Sequence, residues 1–454
     1  MQKTISAPPS KSISHRALIC AALARGESIV KNLLISDDTL CTARCLNKLG
    51  TTFFNTSSGD IIALSKNTIP RDLSSIKVSG IPDKNFSDKK KTLDMDVGES
   101  GTTCRLITPI VAAFNNIQVR IYGKGRMHKR PIGDLKMALE RLGTRFIWDA
   151  EPGFPPYIIQ ARGLKGGRVQ ISIEKSSQYL SGLLLASPLA QGPIEIELIG
   201  KKAVSWPYVG LTLQTMEAFG VNVEIYTLDQ GSWVQREIKE IKYAIPGEIK
   251  FKIKPSKYTP SDFFVEGDWS NGSYLISAGL LLKNGLRITG LKKDSLQGDK
   301  RVIQILRQMG GKIYWEKEDI VSTYSELKGI DIDMGDCPDL VPTIAVMASM
   351  ASGTTRISGV AHLRLKESNR LEGVAREISK IGARVNTFDH GLVIEPQPIP
   401  KGKTIEFSTY GDHRMAMGLS LYELAGINVV LDNKGCVTKS FPDFFQVWQT
   451  IINS

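Results

Sequence analysis

The sequence predicts an α/β fold of two domains, each built from three βαβαββ repeats. Three observations lead to this prediction. Polar helix starts followed by apolar runs recur at a spacing of roughly 70–90 residues, which is typical of an internal repeat. Between them lie helices that end in an apolar residue followed by glycine. Segments in which apolar and polar residues alternate separate these helices and predict β-strands.

The first helix of each repeat begins at a polar segment and continues as an apolar run. In the first copy, Pro9 and Ser10 precede a run that ends at Gly26. Proline stays outside helix interiors, serine suits a helix start, and glycine commonly ends a helix. Taken alone, this segment is equally compatible with a solvated helix cap. The other copies begin near Ser100, Ser176, Trp269, Asp336 and Tyr410.

The second helix of each repeat is predicted from its C-terminal glycine. A glycine just past the last helical residue adopts the left-handed conformation that satisfies the final carbonyl groups. Such endings occur at Gly50, Gly143, Gly220, Gly310 and Gly382, and a sixth helix is predicted over 444–452.

The composition is that of a globular protein with a basic surface. The 454 residues are 42% hydrophobic and 23% charged, and the formal net charge is +12. The positive charge is spread along the chain. Its only dense lysine run, at 89–91, lies in a polar loop (82–92) for which the sequence indicates no role. This distribution favours a small acidic substrate over nucleic acid, with a generic basic protein as the plain alternative.

Standard cofactor, metal and membrane signals are absent from the sequence. It has no Walker loop, no GxGxxG after a strand and no HExxH motif. The six cysteines form no CxxC pair and are expected to be buried thiols. No apolar signal region occurs, and no stretch approaches the roughly eighteen apolar residues of a spanning helix. We therefore expect a cytoplasmic protein without metal or cofactor that binds neither nucleic acid nor membranes.

Cationic side chains gather at the predicted helix starts and in the loops before the second helices. Helix N-termini already favour anions, so this many cations suits a pair of ligands that carry several phosphates and carboxylates. Asp339 and Glu367 lie among the cations and are candidates for proton transfer, although either one alone is more often a cap or a surface carboxylate. The cations are Lys11, Arg16, Arg105, Arg126, Lys366, Arg370, Arg414 and Lys439.

Seven motifs carry a resemblance to a known family. They are Pro9-Ser10-Lys11-Ser12-Ile13-Ser14-His15-Arg16, Gly98-Glu99-Ser100-Gly101-Thr102-Thr103-Cys104-Arg105, Arg126-Met127-His128-Lys129-Arg130-Pro131, Ser176-Ser177-Gln178-Tyr179, Leu365-Lys366-Glu367-Ser368-Asn369-Arg370-Leu371, Asp412-His413-Arg414-Met415 and Lys439-Ser440-Phe441-Pro442-Asp443. Together, over about residues 3–450, they resemble the 5-enolpyruvylshikimate-3-phosphate synthase family.

The resemblance implies a specific fold. In this family two domains, each of three βαβαββ repeats in a pseudo-threefold arrangement, form the inside-out α/β barrel of the enolpyruvyl transferases. Carried over to this chain, one domain would comprise 1–11 with 266–454 and the other 12–265. The active site would lie in the cleft between them.

The resemblance also implies a reaction. The enolpyruvyl group of phosphoenolpyruvate would be transferred to the 5-hydroxyl of shikimate 3-phosphate by addition and elimination, with release of phosphate. This is a step of the shikimate pathway towards chorismate and the aromatic amino acids, and the target of the herbicide glyphosate. The implied partners are these two small substrates, with no cofactor, and the protein would be a monomer.

Site residues follow by position in the matching motifs. The implied catalytic residues are Asp339 for the hydroxyl proton, Glu367 for the methylene carbon, and Lys11, which would lie between the substrates. Phosphoenolpyruvate would be held by Lys11, Gly101, Arg126, Gln178, Arg370, Arg414 and Lys439. Shikimate 3-phosphate would be held by Lys11, Ser12, Arg16, Ser176, Ser177, Gln178, Ser205, Tyr208, Asp339, His362 and Lys366.

A few residues depart from the family's commonest pattern. His15 and His362 stand where asparagine is frequent, and Glu99 replaces a usual asparagine before the Gly101 segment. A carboxylate at Glu99 bears on the affinity for phosphoenolpyruvate and for glyphosate. None of these departures removes a catalytic group.

Two alternatives remain open from the sequence. The sister enzyme that makes UDP-N-acetylglucosamine enolpyruvate shares the repeat, but it places asparagine after the hinge lysine and usually a cysteine in the Arg126 loop. Here Ser12 follows Lys11, and that loop has no cysteine. The second alternative is a non-catalytic anion- or RNA-binding protein, which would leave Asp339 and Glu367 without a purpose.

Overall fold

The computed structural model describes residues 2–64, 75–82 and 92–453. The chain divides into two compact units. We call 1–10 with 266–454 the discontinuous unit and 11–265 the continuous unit. The predicted division put Lys11 with the discontinuous unit, whereas in the structure Lys11 is the first residue of a helix of the continuous unit. Most of the lysine-rich loop lies outside the described residues.

The secondary structure alternates strands and helices along the whole described chain. In chain order the strands and α-helices are β1 (Lys3–Ser6), α1 (Lys11–Leu23), β2 (Glu27–Lys31), α2 (Asp37–Lys48), β3 (Thr52–Asn55), β4 (Ser75–Ser79), β5 (Thr92–Asp96), α3 (Gly101–Ala113), β6 (Asn115–Tyr122), α4 (Gly133–Arg141), β7 (Arg145–Trp148), β8 (Tyr157–Arg162), β9 (Gly167–Ser172), α5 (Gln178–Ala186), β10 (Ile194–Ile199), α6 (Pro207–Ala218), β11 (Glu224–Asp229), β12 (Ser232–Gln235), β13 (Ile249–Ile253), β14 (Asp262–Phe264), α7 (Trp269–Leu281), β15 (Leu286–Thr289), α8 (Val302–Gln308), β16 (Lys312–Glu316), β17 (Asp319–Thr323), β18 (Asp331–Asp333), α9 (Val341–Ser349), β19 (Thr355–Ser358), α10 (Arg370–Ser379), β20 (Arg384–Phe388), β21 (Gly391–Glu395), β22 (Thr404–Phe407), α11 (His413–Ser420), β23 (Asn428–Leu431) and α12 (Phe444–Ile452).

Short 3-10 helices lie within several of the loops. They span Gly125–Lys129, Ser187–Leu189, Ile238–Glu240, Gly298–Arg301, Pro338–Leu340, Ala361–Leu365, Leu421–Ala425 and Lys434–Lys439.

Five sheets in the described part of the chain repeat one strand order. In each of the orders given below, the first two strands pair in parallel, and the third strand pairs antiparallel with both of its neighbours. The orders are β14-β2-β4-β3, β5-β6-β8-β7, β9-β10-β13-β11 with β12 added at the edge, β1-β15-β17-β16, and β18-β19-β21-β20. The repeats that start at β5 and β18 follow the predicted βαβαββ order along the chain. The repeat that starts at β9 has one extra strand, and the other two take one strand from a distant part of the chain.

The sixth repeat differs from the prediction. Its sheet has only β22 and β23, which pair in parallel, and α12 follows. The expected final strand pair is therefore missing from this repeat as far as residue 453.

One strand of each unit comes from a distant part of the chain. β1 pairs in parallel with β15 of the discontinuous unit, and β14 pairs in parallel with β2 of the continuous unit. The strands β1 and β14 thus complete the first sheet of each unit.

The two helices of a repeat differ in burial. The first helices (α1, α3, α5, α7, α9 and α11) are buried nearly all round, whereas helices such as α2 and α10 keep an exposed face. A helix buried on every side must be apolar or small-residue-rich all round, which the alanine, leucine and glycine runs satisfy. At the α3–α5 contact, a β-carbon on Gly182 would lie 2.4 Å from the carbonyl oxygen of Arg105. The first turns of these helices hold five of the candidate site residues, namely Lys11, Ser12, Gly101, Gln178 and Arg414.

All six cysteines are buried, unpaired thiols, as predicted. Within the described residues, no helix is both long and apolar enough to cross a membrane.

Candidate active site

The two carboxylates singled out from the sequence share one arginine. Asp339 lies in the 3-10 turn before α9, and its Oδ1 accepts a hydrogen bond of 2.7 Å from Nη1 of Arg370. Nη2 of the same guanidinium donates to Oε2 of Glu367 over 2.6 Å. Oδ2 of Asp339 accepts from Nη2 of Arg414 over 2.8 Å. The fold thus brings these four predicted residues together.

A fifth residue, Asp412, binds the guanidinium of Arg370 and the backbone of Arg414. Its carboxylate accepts from Nε of Arg370 at 2.7 Å and from Nη2 at 3.2 Å. It also caps α11, because its Oδ1 accepts from the backbone N–H of Arg414 at 3.0 Å. Ser368 donates a further hydrogen bond of 2.9 Å, and Asp412 is fully buried. We call Asp339, Glu367, Arg370, Asp412 and Arg414 the carboxylate cluster.

Charge pairing sets the protonation of this cluster. Burial alone would raise the pKa of Asp339. The positive charges of Arg414, Lys366 and Arg370 outweigh burial and hold that pKa well below its ordinary value. Burial alone would lower the pKa of Arg370, but the charges of Asp412, Glu367 and Asp339 raise it. Asp339 is therefore ionised at neutral pH and can accept a proton.

A buried carboxyl group stands behind the cluster. Asp299 is 1% exposed, and its Oδ2 accepts a hydrogen bond from the hydroxyl of Ser270 in the first turn of α7. Burial and, next, the negative charge of Asp339 raise the pKa of Asp299 to about 7. This group therefore titrates close to neutral pH.

In the continuous unit, the predicted catalytic lysine begins α1. Lys11 is 8% exposed, and its Nζ lies 3.0 Å from Oδ2 of Asp38 in α2. Asp38 thus holds the ammonium group at the N-terminal end of the helix.

The start of α3 brings Ser100, Gly101 and Arg130 together. Ser100 caps this helix by accepting from the backbone N–H of Thr103 at 3.2 Å. The guanidinium of the buried Arg130 lies against Gly101, since a β-carbon there would be 2.2 Å from its Cζ. Arg130 also donates to the carbonyl of Glu99 at 3.4 Å.

Arg105 sets the orientation of Gln178, the first residue of α5. Its Nη1 donates to Oε1 of Gln178 at 2.9 Å and lies 3.5 Å from the hydroxyl of Ser176. The amide nitrogen of Gln178 donates to Thr102 at 2.8 Å. Gln178 is therefore tied to the first turn of α3 through Thr102, and Ser176 is tied to the same helix through Arg105.

Arg16 is deeply buried and joins α1 to α6. Its guanidinium donates to the carbonyl of Ser12 at 2.8 Å, to the carbonyl of Tyr208 at 3.0 Å and to the hydroxyl of Thr212 at 2.8 Å. Burial lowers the pKa of Arg16 to about 10. Three residues predicted to hold shikimate 3-phosphate, Ser12, Arg16 and Tyr208, are thus neighbours.

The remaining predicted residues are placed as follows. Lys439 donates to the carbonyl of Gly411, next to Asp412, at 3.3 Å. Ser177, Ser205 and His362 are buried, at the starts of α5 and α6 and in the 3-10 turn of 361–365. Arg126 is exposed, and it is Arg130, four residues on, that reaches Gly101.

Sequence reasoning missed four of these residues. Asp38, Arg130, Asp299 and Asp412 each act through a partner distant in the chain. Only Asp412 had a local signal, because an aspartate directly before a helical run predicts an N-cap.

Solved structures that match this fold include an EPSP synthase and an enolpyruvyl transferase. The structure of EPSP synthase from Acinetobacter baumannii matches with a TM-score of 0.72 and 22% identity, and covers 99% of this chain and 95% of that chain. The enolpyruvyl transferase NikO from Streptomyces tendae matches with a TM-score of 0.71 and 15% identity over the same shares. The fold is therefore that of the enolpyruvyl transferases, a class of α/β proteins.

Sequence comparison narrows this class to one family. The family model described as EPSP synthase (3-phosphoshikimate 1-carboxyvinyltransferase) matches residues 1–448. Relatives named 3-phosphoshikimate 1-carboxyvinyltransferase include that of Haemophilus influenzae (strain PittGG), 36% identical over 99% of this chain and 96% of the relative. That of Shewanella piezotolerans is 37% identical over 99% and 97%. The chain belongs to the EPSP synthase family, which confirms the resemblance found in its motifs.

Proposed function

We propose that this protein transfers the enolpyruvyl group of phosphoenolpyruvate to the 5-hydroxyl of shikimate 3-phosphate. The observation that carries the proposal is the sharing of Arg370 by Asp339 and Glu367, with Arg414 on the second oxygen of Asp339. Two carboxylates held in place by cations suit a reaction in which protons move at two different substrate atoms. The names of the full-length relatives support the same reaction.

The proton transfers of the reaction can be assigned to the two carboxylates. In the addition step, Asp339 takes the proton of the attacking hydroxyl while Glu367 delivers a proton to the methylene carbon. In the elimination step, Glu367 takes a proton back from the new methyl group as the bond to phosphate breaks, and Asp339 gives the hydroxyl proton to the departing phosphate. Asp339 is a weak base while Arg370 and Arg414 neutralise it. A bound anion that attracts those cations away from Asp339 would make this carboxylate a stronger base when the hydroxyl attacks.

The cations are assigned by the charges of the substrates. Arg370, Arg414 and Lys439 serve the carboxylate and phosphate of phosphoenolpyruvate, together with Gly101 and Gln178. We place Arg130 in this set in preference to the exposed Arg126, because Arg130 lies against Gly101. Lys11, held by Asp38, assists proton transfer or stabilises the intermediate.

Shikimate 3-phosphate is assigned to the serine-rich helix starts. Ser12, Arg16 and Tyr208 would hold its ring and carboxylate, with His362, Lys366 and Asp339. Ser176, Ser177, Gln178 and Ser205 would hold its phosphate. Hydroxyl groups and backbone N–H groups at helix N-termini are a common phosphate site.

The finer features of the fold belong to the same proposal. We infer that the three repeats of each unit are related by a pseudo-threefold axis, as in an inside-out α/β barrel, and that the two units are the two domains. The common strand order and the buried first helices support this inference. A cytoplasmic location and a monomeric state stay predictions from the sequence.

Phosphate release on mixing the protein with both substrates, without added metal, tests the proposal. We expect release only when both substrates are present. Asp339→Asn and Glu367→Gln should each lower kcat by about 10²- to 10⁴-fold while the protein stays folded, the usual contribution of a general acid or base. Absence of both release and binding of shikimate 3-phosphate would overturn it.

A further inference from the structure

A buried chain of hydrogen bonds crosses the first three helices of the continuous unit. Nδ1 of His15 in α1 lies 2.7 Å from Oγ1 of Thr42 in α2. Oγ1 of Thr42 lies 2.7 Å from Oγ1 of Thr103 in α3. Oγ1 of Thr103 lies 3.2 Å from the carbonyl oxygen of Asp38 and 2.8 Å from the hydroxyl of Ser100. The three side chains of His15, Thr42 and Thr103 are inaccessible to solvent.

The surroundings of the imidazole determine which atom donates in each of these hydrogen bonds. Burial, then the charges of Lys11 and Arg16, lower the pKa of His15 well below its ordinary value, so the ring is neutral and carries one N–H. Nε2 is buried and has no hydrogen-bond partner among the described residues. Orphaned N–H groups are rarer in interiors than under-satisfied acceptors, so the proton belongs on Nδ1. The imidazole then donates to Thr42, Thr42 to Thr103, and Thr103 to Asp38 or Ser100.

The far end of the chain reaches groups assigned to substrate handling. The carboxylate of Asp38 pairs with Lys11, and Ser100 caps α3 directly before Gly101. A shift of α3 against α2 would therefore move Gly101 relative to the Lys11–Asp38 pair.

We propose that His15 is a positioning residue that, through Thr42 and Thr103, fixes the start of α3 against α2 for the binding of phosphoenolpyruvate. The link to phosphoenolpyruvate rests on the proposed function, which places that substrate beside Gly101. The hydrogen-bonded chain itself does not depend on that placement.

Two substitutions at His15 distinguish the roles of its two ring nitrogens. Asparagine places its amide nitrogen at the branch occupied by Nδ1, whereas glutamine reaches out towards the position of Nε2. We expect His15→Asn to keep the KM for phosphoenolpyruvate within about twofold, and His15→Gln and His15→Leu to raise it by about 5- to 30-fold, the worth of one buried hydrogen bond. The KM for shikimate 3-phosphate should change less.

A matched pair of threonine substitutions controls for loss of stability. Thr42→Val breaks the chain in its middle. Thr108→Val also removes a buried hydroxyl from this unit, one that donates to the carbonyl of Cys104 at 2.7 Å and is not part of the chain. Only Thr42→Val should raise the KM for phosphoenolpyruvate. An equal rise in Thr108→Val would reduce His15 to a structural role and overturn the proposal.

The tautomer is tested directly by ¹⁵N NMR of the imidazole, with the His15 signals assigned from their loss in His15→Asn. We expect a proton on Nδ1. A proton on Nε2, or equal KM values in His15→Asn and His15→Gln, would overturn the proposal. Failure of the substrate placement would appear separately, as an unchanged KM for phosphoenolpyruvate in Gly101→Ala.

Discussion

The guanidinium of Arg130 occupies the space that a side chain at Gly101 would need. A β-carbon at position 101 would lie 2.2 Å from Cζ and 2.4 Å from Nη2 of Arg130. Gly101 is the first residue of α3, so the guanidinium of Arg130 lies at the N-terminal turn of that helix. An anion bound there meets a full positive charge and the partial charge of the helix end together.

Gly101→Ala should therefore displace Arg130 and weaken binding of phosphoenolpyruvate. We expect its KM to rise by about 10- to 100-fold, the scale on which small misplacements act. Steady-state kinetics with each substrate varied in turn would measure the effect. Gly133→Ala is the matched control, because Gly133 also begins a helix but has open space around its Cα. Equal effects in the two variants would argue against the role of Arg130.

Substitutions of Arg130 and Arg126, which lie in the same loop, should change the KM for phosphoenolpyruvate to different extents. Arg130→Ala removes a buried cation beside Gly101 and should raise the KM for phosphoenolpyruvate by about 10- to 100-fold, since hydrogen bonds to charged groups are among the stronger ones. Arg126→Ala removes an exposed side chain and should have a much smaller effect. The ratio of the two KM values is the measurement. A larger effect at Arg126 would return the site to the assignment made from the sequence.

Local patterns were sufficient to predict the helices that carry the site. Pro9 and Ser10 do precede α1, Ser100 caps α3, and α7 begins at Trp269 as expected, because caps depend on neighbouring residues. The helix expected after the polar segment at Asp336 begins at Val341, behind a 3-10 turn at Pro338–Leu340, and Pro342 lies in its first turn. The assignment of catalytic and binding roles to residues at distant helix starts came from the resemblance of the motifs to a known family.

Contacts between distant segments could not be predicted. The choice between Arg126 and Arg130 depends on a contact with Gly101, across a loop whose spacing favours neither arginine. The pairing of Lys11 with Asp38 depends on how α1 meets α2, and no periodicity within either helix encodes that. The strand order within each sheet is likewise a long-range property.

Asp412 should matter because it binds the guanidinium of Arg370 and caps the helix that carries Arg414. Asp412→Asn keeps the shape of the side chain but removes the charge that faces Arg370. We expect kcat/KM to fall by about 10- to 100-fold, since hydrogen bonds between charged groups contribute about 1.5–3 kcal/mol. Asp432→Asn is the control, because that carboxylate in the same unit accepts from Ser408 and Thr409. Full activity in Asp412→Asn would show that Arg370 needs no such support.

Asp299 should make the stability of the protein depend on pH near neutrality. Its pKa is about 7 in the folded protein, against an ordinary value of 3.8. Between these values the folded state holds a proton that the unfolded state has lost. Stability contributed by this group is therefore complete below pH 4 and is lost as the pH rises through 7, by at most about 1.4 kcal/mol per pH unit.

Asp299→Asn removes this dependence, since the amide stays neutral and can still accept from Ser270. We expect the melting temperature of Asp299→Asn to match that of the unaltered protein near pH 4, to exceed it increasingly up to about pH 7, and to stay above it by a constant margin beyond. Melting curves at several pH values would measure this difference. Asp294→Asn, an exposed site nearby in the chain, is the control and should show no such trend. A difference that shrinks as the pH rises would contradict a carboxyl group that is protonated in the folded state.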